Sequence, residues 1–78
     1  MDWREHIEAV PDAMGGKPVI RGTRITVEIL LDWLAAGWSE QELFENYPRL
    51  TPAGLKAVFA FAREIVAEQL YAVTRQAA

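Results

Sequence analysis

Apolar and polar residues alternate over a short stretch near the start of the chain, at residues 7–10. Proline and glycine turn signals fill residues 11–16, and a second short apolar run follows at residues 18–20. This pattern predicts a small β-hairpin or arm, with Pro18 restricted to an edge position because it lacks a backbone N–H. Two strands alone are marginal in water, so the arm must pack on helices or on the same arm of a second chain.

The pattern changes to a helical period after Ile25. Thr26 is placed to cap a helix over residues 27–36, Ile25 is placed to contact Leu30 across the cap, and Gly37 follows as a stop signal. One apolar stripe with helical spacing runs through this segment and comprises Val27, Leu30, Leu31 and Leu34.

A second helix start lies at Ser39, which has Glu42 three positions later, as in a capping box. Pro48 disfavours helical geometry at the residue before it. We therefore expect a short helix over residues 40–46.

A third helix is predicted to follow Thr51, which can cap it, with Pro52 at the first helical position, where proline is tolerated. No breaker occurs from residue 55 to residue 75. A helix of that length could reach about 35 Å at 1.5 Å per residue, more than a small three-helix core requires.

These elements predict one mainly α domain over residues 1–78, with a β-arm and basic loop at 1–25 and a three-helix helix-turn-helix at 26–78. Apolar residues make up 51% of the chain, enough for a core, and a domain this small gains from self-association. The chain has no cysteine and no long apolar run, which favours a cytoplasmic protein over a secreted or membrane-spanning one.

Basic residues cluster along the chain although the net charge is −3. In the predicted helix-turn-helix, the third helix begins with Thr51 and Lys56, and Arg49 stands just before it. Such a helix start can enter the major groove of DNA and favours phosphate. A plain three-helix core explains the same pattern equally well.

A second basic cluster lies between the arm and the first helix and comprises Lys17, Arg21, Thr23 and Arg24. No acid lies in residues 17–26, so this loop could contact phosphates of DNA. The alternative is that its arginines pair with neighbouring acids such as Glu28.

The third helix carries apolar residues over a wide arc, which a domain of this size cannot cover alone. We therefore expect it to form a homodimer or toxin interface through Phe61, Ile65, Leu70, Tyr71 and Val73. The alternative is that these residues belong to a purely internal core. His6 is the single histidine, and without cysteines or a spaced acid cluster it predicts no metal site. No motif predicts catalytic residues or a cofactor, so we expect a binding protein and not an enzyme.

The sequence GGKPVIRGTR at residues 15–24, followed by Gly37-Trp38-Ser39 and by residues 47–51, resembles family 433 of the domains of unknown function (DUF433). The resemblance extends over roughly residues 7–66. It implies a homeodomain-like helix-turn-helix fold. It also implies a VapB-type antitoxin, whose family members are encoded beside a PIN-like ribonuclease toxin.

Antitoxins of this kind bind the toxin through a C-terminal segment and repress their own operon through the DNA-binding part. Few residues follow the predicted core here, so the resemblance moves the expected toxin contact to the third helix. The leading hypothesis is therefore an antitoxin-like homodimer that binds a PIN-like toxin and double-stranded operator DNA. The alternative is a homo-oligomeric protein interaction module that does not bind DNA.

Overall fold

A computed structural model of the chain describes residues 1–69. It contains two strands and three α-helices: β1 (Ile7–Ala9), β2 (Pro18–Ile20), α1 (Val27–Ala35), α2 (Glu40–Asn46) and α3 (Pro52–Gln69). Short 3-10 turns precede each strand, at Trp3–Glu5 and Met14–Gly16. The mainly α class and the N-terminal hairpin are confirmed in this part of the chain.

The two strands pair antiparallel, with Ile7 opposite Ile20 and Ala9 opposite Pro18. Ile7 and Ile20 point into the core and are buried. The hairpin therefore leans on the helices of its own chain, which is one of the two ways in which such a small sheet gains stability.

Side-chain caps begin all three helices at the predicted residues. Thr26 Oγ1 accepts from the Ile29 N–H at 3.1 Å, and Thr51 Oγ1 accepts from the Gly54 N–H at 2.9 Å. Ser39 and Glu42 form the predicted reciprocal capping box before α2. These bonds satisfy donors that a helix start otherwise leaves unpaired.

Helix α1 ends at Ala35, one residue before the predicted end, because Ala36 already serves as the C-cap. Gly37 follows with φ 103°, a left-handed conformation that glycine adopts without strain. The Trp38 N–H donates to the Trp33 carbonyl at 3.0 Å, as in a Schellman motif. The indole rings of these two tryptophans stack with centroids 4.1 Å apart.

The core lies where the hairpin meets the three helices. Its buried apolar residues are Ile7, Val19, Ile20, Val27, Leu30, Leu43, Leu50, Leu55, Ala57 and Val58. Gly54 on the first turn of α3 faces β2, and a Cβ there would lie 3.9 Å from Ile20 Cδ1 and 3.2 Å from Thr51 Oγ1. The tight contact of a side chain at Gly54 would therefore be with the Thr51 cap of α3, whereas the distance to Ile20 of the hairpin is an ordinary van der Waals separation.

The N-terminal turn packs on the middle of α3. The Trp3 Nε1–H donates to Glu64 Oε2 at 2.8 Å, and the Trp3 ring meets the Phe61 ring edge-on with centroids 4.7 Å apart. Phe61, predicted as a partner contact, is therefore half-buried inside its own chain. In the same helix Phe59, Ile65 and Val66 are exposed, so within the described residues the open apolar surface of α3 comprises these three large side chains.

Leu70, Tyr71 and Val73, the other predicted partner contacts, lie outside the described residues. Among residues 1–69, no helix has the length and apolar character needed to cross a membrane.

Candidate functional site

The predicted basic loop forms the connection between β2 and α1, and internal hydrogen bonds fix its shape. The Ile20 N–H donates to the Ile25 carbonyl at 2.8 Å, and the Thr23 N–H donates back to Ile20 at 3.0 Å. The Thr23 hydroxyl donates to the Ile20 carbonyl at 2.7 Å and accepts from the Ile25 N–H at 3.0 Å. The hydroxyl of Thr23, one of the predicted DNA contacts, is thus used in hydrogen bonds within the loop.

Two of the predicted basic residues form ion pairs. Arg21 Nη1 lies 3.1 Å from Glu8 Oε1, and Lys17 Nζ lies 2.9 Å from Glu28 Oε1. The Arg21 guanidinium also donates to the Arg4 carbonyl at 2.7 Å. The ion-pair alternative concerned Arg21 and Arg24. It describes Arg21, whose acid is Glu8 and not Glu28, while Glu28 pairs with Lys17 instead.

Arg24 and Arg49 lie together on one open groove of about 520 Å³. Its other lining residues are Met14, Thr23, Ile25, Thr26, Ile29 and Tyr47, and none of the eight is acidic. Neither arginine forms an ion pair with any residue in the described range 1–69. The groove is therefore lined by two exposed arginines together with several apolar side chains.

Arg49 reaches this groove from the turn between α2 and α3. Its Nη2 lies 4.0 Å from the position that a Cβ at Gly22 would take. The turn itself is closed by the Leu50 N–H, which donates to the Tyr47 carbonyl at 2.8 Å. Two basic clusters that are separate in the sequence thus meet in the fold.

Tyr47 lines the groove, and a hydrogen bond from α1 fixes its position. The Trp33 Nε1–H donates to the Tyr47 hydroxyl oxygen at 2.9 Å, which fixes the phenol against α1. The sequence reasoning missed Tyr47 because nothing in the pattern shows which side of the turn it takes. It also missed Met14, which reaches the groove from a left-handed backbone with φ 53°.

Lys56 lies elsewhere, on a smaller groove of about 240 Å³ between α2 and α3. Glu40 lines the same groove, together with Phe44, Pro52, Leu55 and Phe59. The acid opposes phosphate binding there, whereas no acid lines the groove of Arg24 and Arg49. Of the predicted DNA contacts, the structure brings together only Thr23, Arg24 and Arg49.

The described residues contain no group of three acidic, histidine or cysteine side chains that could hold a metal ion. The chemistry that the larger groove offers is recognition of an anion by guanidinium groups, which bind phosphate or carboxylate through paired N–H donors.

The fold and groove define a small, mainly helical domain with a two-stranded antiparallel sheet. The chain belongs to the family described as "Protein of unknown function (DUF433)", which matches residues 7–62. All eight residues of the larger groove fall within that segment.

Two relatives illustrate the family. The chain is 36% identical over 59 residues to the uncharacterized protein y4eO of Sinorhizobium fredii, covering 76% of this chain and 27% of that protein. A crystal structure of a DUF433 member protein from Anabaena variabilis has a TM-score of 0.71 and 31% identity, covering 91% of this chain and 66% of that one. The chain thus spans about a quarter of the length of the curated relative.

Proposed function

We propose that this protein is an antitoxin-like DNA-binding protein that acts as a homodimer. The observation that carries the proposal is the pairing of Arg24 with Arg49 on one acid-free groove, beside the turn that leads into α3. Neither guanidinium is neutralised by an acid within residues 1–69, so both are available to phosphates. The role is binding and not catalysis.

In this proposal the start of α3 enters the major groove of the DNA. Ala53 and Lys56 are exposed there, whereas Gly54 is buried against the hairpin and cannot contact DNA. Arg24 and Arg49 hold the flanking phosphates, which positions the helix without reading sequence. A homodimer would place two such helices about 34 Å apart, one turn of DNA.

The antitoxin part of the proposal rests on the resemblance together with the exposed apolar residues of α3. Phe59, Ile65 and Val66 are 43%, 43% and 58% exposed. They offer a surface for a second copy of the chain or for a PIN-like ribonuclease toxin. Exposed apolar residues grouped on one element mark such contacts.

Fluorescence anisotropy with a labelled duplex from upstream of the protein's own gene tests DNA binding. We expect Arg49→Ala to weaken binding at least about tenfold, since a hydrogen bond to a charged group contributes about 1.5–3 kcal/mol. It should also reduce the slope of log affinity against log salt by about 1. Arg63→Ala, which removes an exposed arginine from the far half of α3, is the matched control.

Equal affinity of the two variants for the duplex at low salt would contradict the DNA-binding proposal. Co-purification with the product of the adjacent reading frame tests the toxin contact. A ribonuclease partner that is lost in Ile65→Asp supports it, and recovery of the homo-oligomer alone contradicts it.

A protein interaction module without DNA binding is the second candidate. The observation that favours it is the smaller groove, where Phe44 and Phe59 lie beside Lys56 and Glu40. In that case Phe59→Asp should abolish self-association measured by sedimentation. The wild type and every variant should show no binding to the DNA duplex.

A further inference from the structure

We propose that the groove of Arg24 and Arg49 is a nucleotide site, which holds a phosphate between the two guanidinium groups and a base on the apolar surface beside them. The site goes beyond duplex binding, because a base must leave its stack to enter the groove. It shares Arg24 and Arg49 with the DNA-binding proposal but does not require Lys56.

The anion part of the site follows from how the basic residues of the chain are used. Arg4, Lys17 and Arg21 each lie within 4.0 Å of an acid, whereas Arg24, Arg49, Lys56 and Arg63 have no such neighbour in the described part of the chain. Of these four, Arg24 and Arg49 line the same groove. Two guanidinium groups on one groove match a phosphate, whose several oxygens can accept the paired N–H donors of each arginine. Thr26, whose hydroxyl oxygen caps α1, retains its own proton to donate at the same groove.

The apolar part of the site distinguishes a nucleotide from a bare anion. Ile25, Ile29 and Met14 line the groove beside the Tyr47 ring, and an inorganic ion would leave them uncovered. A nucleobase covers such a surface by stacking on an aromatic ring, an interaction worth about 1–3 kcal/mol per base. The hydrogen bond from Trp33 holds Tyr47 in place for this contact.

An extended peptide fits the groove less well, because the groove offers no free strand edge. The edge of β2 on this side is already used by the bond from Ile20 to Ile25 and by the bridge between Val19 and Thr26. Pro18 has no N–H to donate. A peptide carboxylate could meet the arginines, but its backbone would find no main-chain partners of the kind that recognition by strand addition requires.

Isothermal titration with thymidine 5′-monophosphate and adenosine 5′-monophosphate tests the site. We expect either nucleotide to bind at least tenfold more tightly than thymidine or inorganic phosphate. Arg24→Ala and Arg49→Ala should each weaken nucleotide binding at least tenfold. Lys56→Ala should leave it unchanged, although the DNA-binding proposal expects that variant to lose duplex affinity.

A second variant separates the base from the phosphate. Ile29→Ser should weaken nucleotide binding several-fold and leave the affinity for inorganic phosphate as it was, with thermal melting as the check on folding. An eight-nucleotide single strand that binds tenfold more tightly than the mononucleotides identifies a nucleic-acid strand as the source of the nucleotide. Equal affinities identify a free nucleotide.

Two results would overturn the proposal. One is the absence of nucleotide binding at millimolar concentration, whether or not the duplex binds. The other is inorganic phosphate binding as tightly as the nucleotides, which would show that the apolar surface is not used. Duplex binding that fails while mononucleotides bind would instead contradict the DNA-binding proposal alone.

Discussion

Arg21 and Arg24 stand three residues apart in one short loop, yet their environments differ. Arg21 meets the Glu8 carboxylate on the neighbouring strand and the Arg4 carbonyl, and it fastens the loop to the N-terminal turn. Arg24 forms no ion pair in the described range and lines a groove with Arg49 in which no lining residue is acidic. The comparison shows that the tertiary position of the acids, and not the density of bases in the sequence, decides which bases are free to bind a ligand.

Glu8 is the residue that makes the difference. It lies opposite Val19 in the hairpin, so its carboxylate reaches both the Arg21 side chain and the Gly22 N–H, at 3.1 and 3.2 Å. No residue of β1 lines the groove of Arg24. The pairing of β1 with β2 therefore brings an acid to Arg21 and leaves Arg24 available to bind a ligand.

The largest expected effect comes from removing both groove arginines. The double variant Arg24→Ala, Arg49→Ala should lose affinity for phosphate-bearing ligands by a factor of at least about 100, because each of the two charged hydrogen bonds contributes about 1.5–3 kcal/mol. Its melting temperature should stay within about 2 °C of the wild type, since neither arginine forms an ion pair in the described range. Titration calorimetry and thermal melting measure the two quantities.

Gly22 lies in the turn between Arg21 and Arg24. A substitution at this residue has the second-largest expected effect. The Gly22 φ of 77° is left-handed, so Gly22→Ala should lower the free energy of unfolding by about 1 kcal/mol. Urea denaturation checks this. Arg24→Ala is the control for the same loop, and an equal loss of stability in both variants would show that backbone strain at Gly22 is not the cause.

Glu8→Ala tests the paired side of the comparison. It removes an acceptor of two hydrogen bonds whose side chain is 30% exposed, and should cost about 1 kcal/mol of stability. Glu5→Ala, an exposed acid without an ion pair in residues 1–69, should cost much less. If ligand affinity rises in Glu8→Ala, the released Arg21 has joined the binding surface.

The smallest expected effect belongs to Lys17→Ala. The pair of Lys17 with Glu28 is solvent-exposed, with side chains 56% and 62% accessible, and such pairs contribute about 0–1 kcal/mol. We expect less than about 0.5 kcal/mol of lost stability and no change in ligand affinity. A large loss of ligand affinity would place Lys17 in the binding surface and would contradict the conclusion that ion-paired bases do not bind the ligand.

Local chemistry made much of the fold predictable from the sequence. Thr26, Ser39 and Thr51 each cap a helix through a hydrogen bond to the third residue after them, a contact that depends only on nearby residues. The hairpin followed from alternation and turn residues. The predicted helix α1 is one residue too long, because the sequence does not distinguish the last helical residue, Ala35, from the C-cap, Ala36.

The candidate site was only partly predictable, because it depends on contacts between distant residues. The sequence predicts Arg24 and Arg49 as DNA contacts, but no local pattern indicates that they share a groove or that Arg21 is bound to Glu8. Phe61 was predicted to face a partner, and its contact with Trp3, 58 positions earlier, could not be read from helical spacing. Side-chain pairing across the fold was the missing information.

The most direct test of the account is an NMR titration that follows the arginine Nε–H signals with thymidine 5′-monophosphate as the ligand. We expect the signals of Arg24 and Arg49 to shift together and saturate at one affinity, while the signal of Arg21 stays in place. Shifts at Arg21 with Arg24 and Arg49 unmoved would contradict it, because the paired arginine would then be the one that binds.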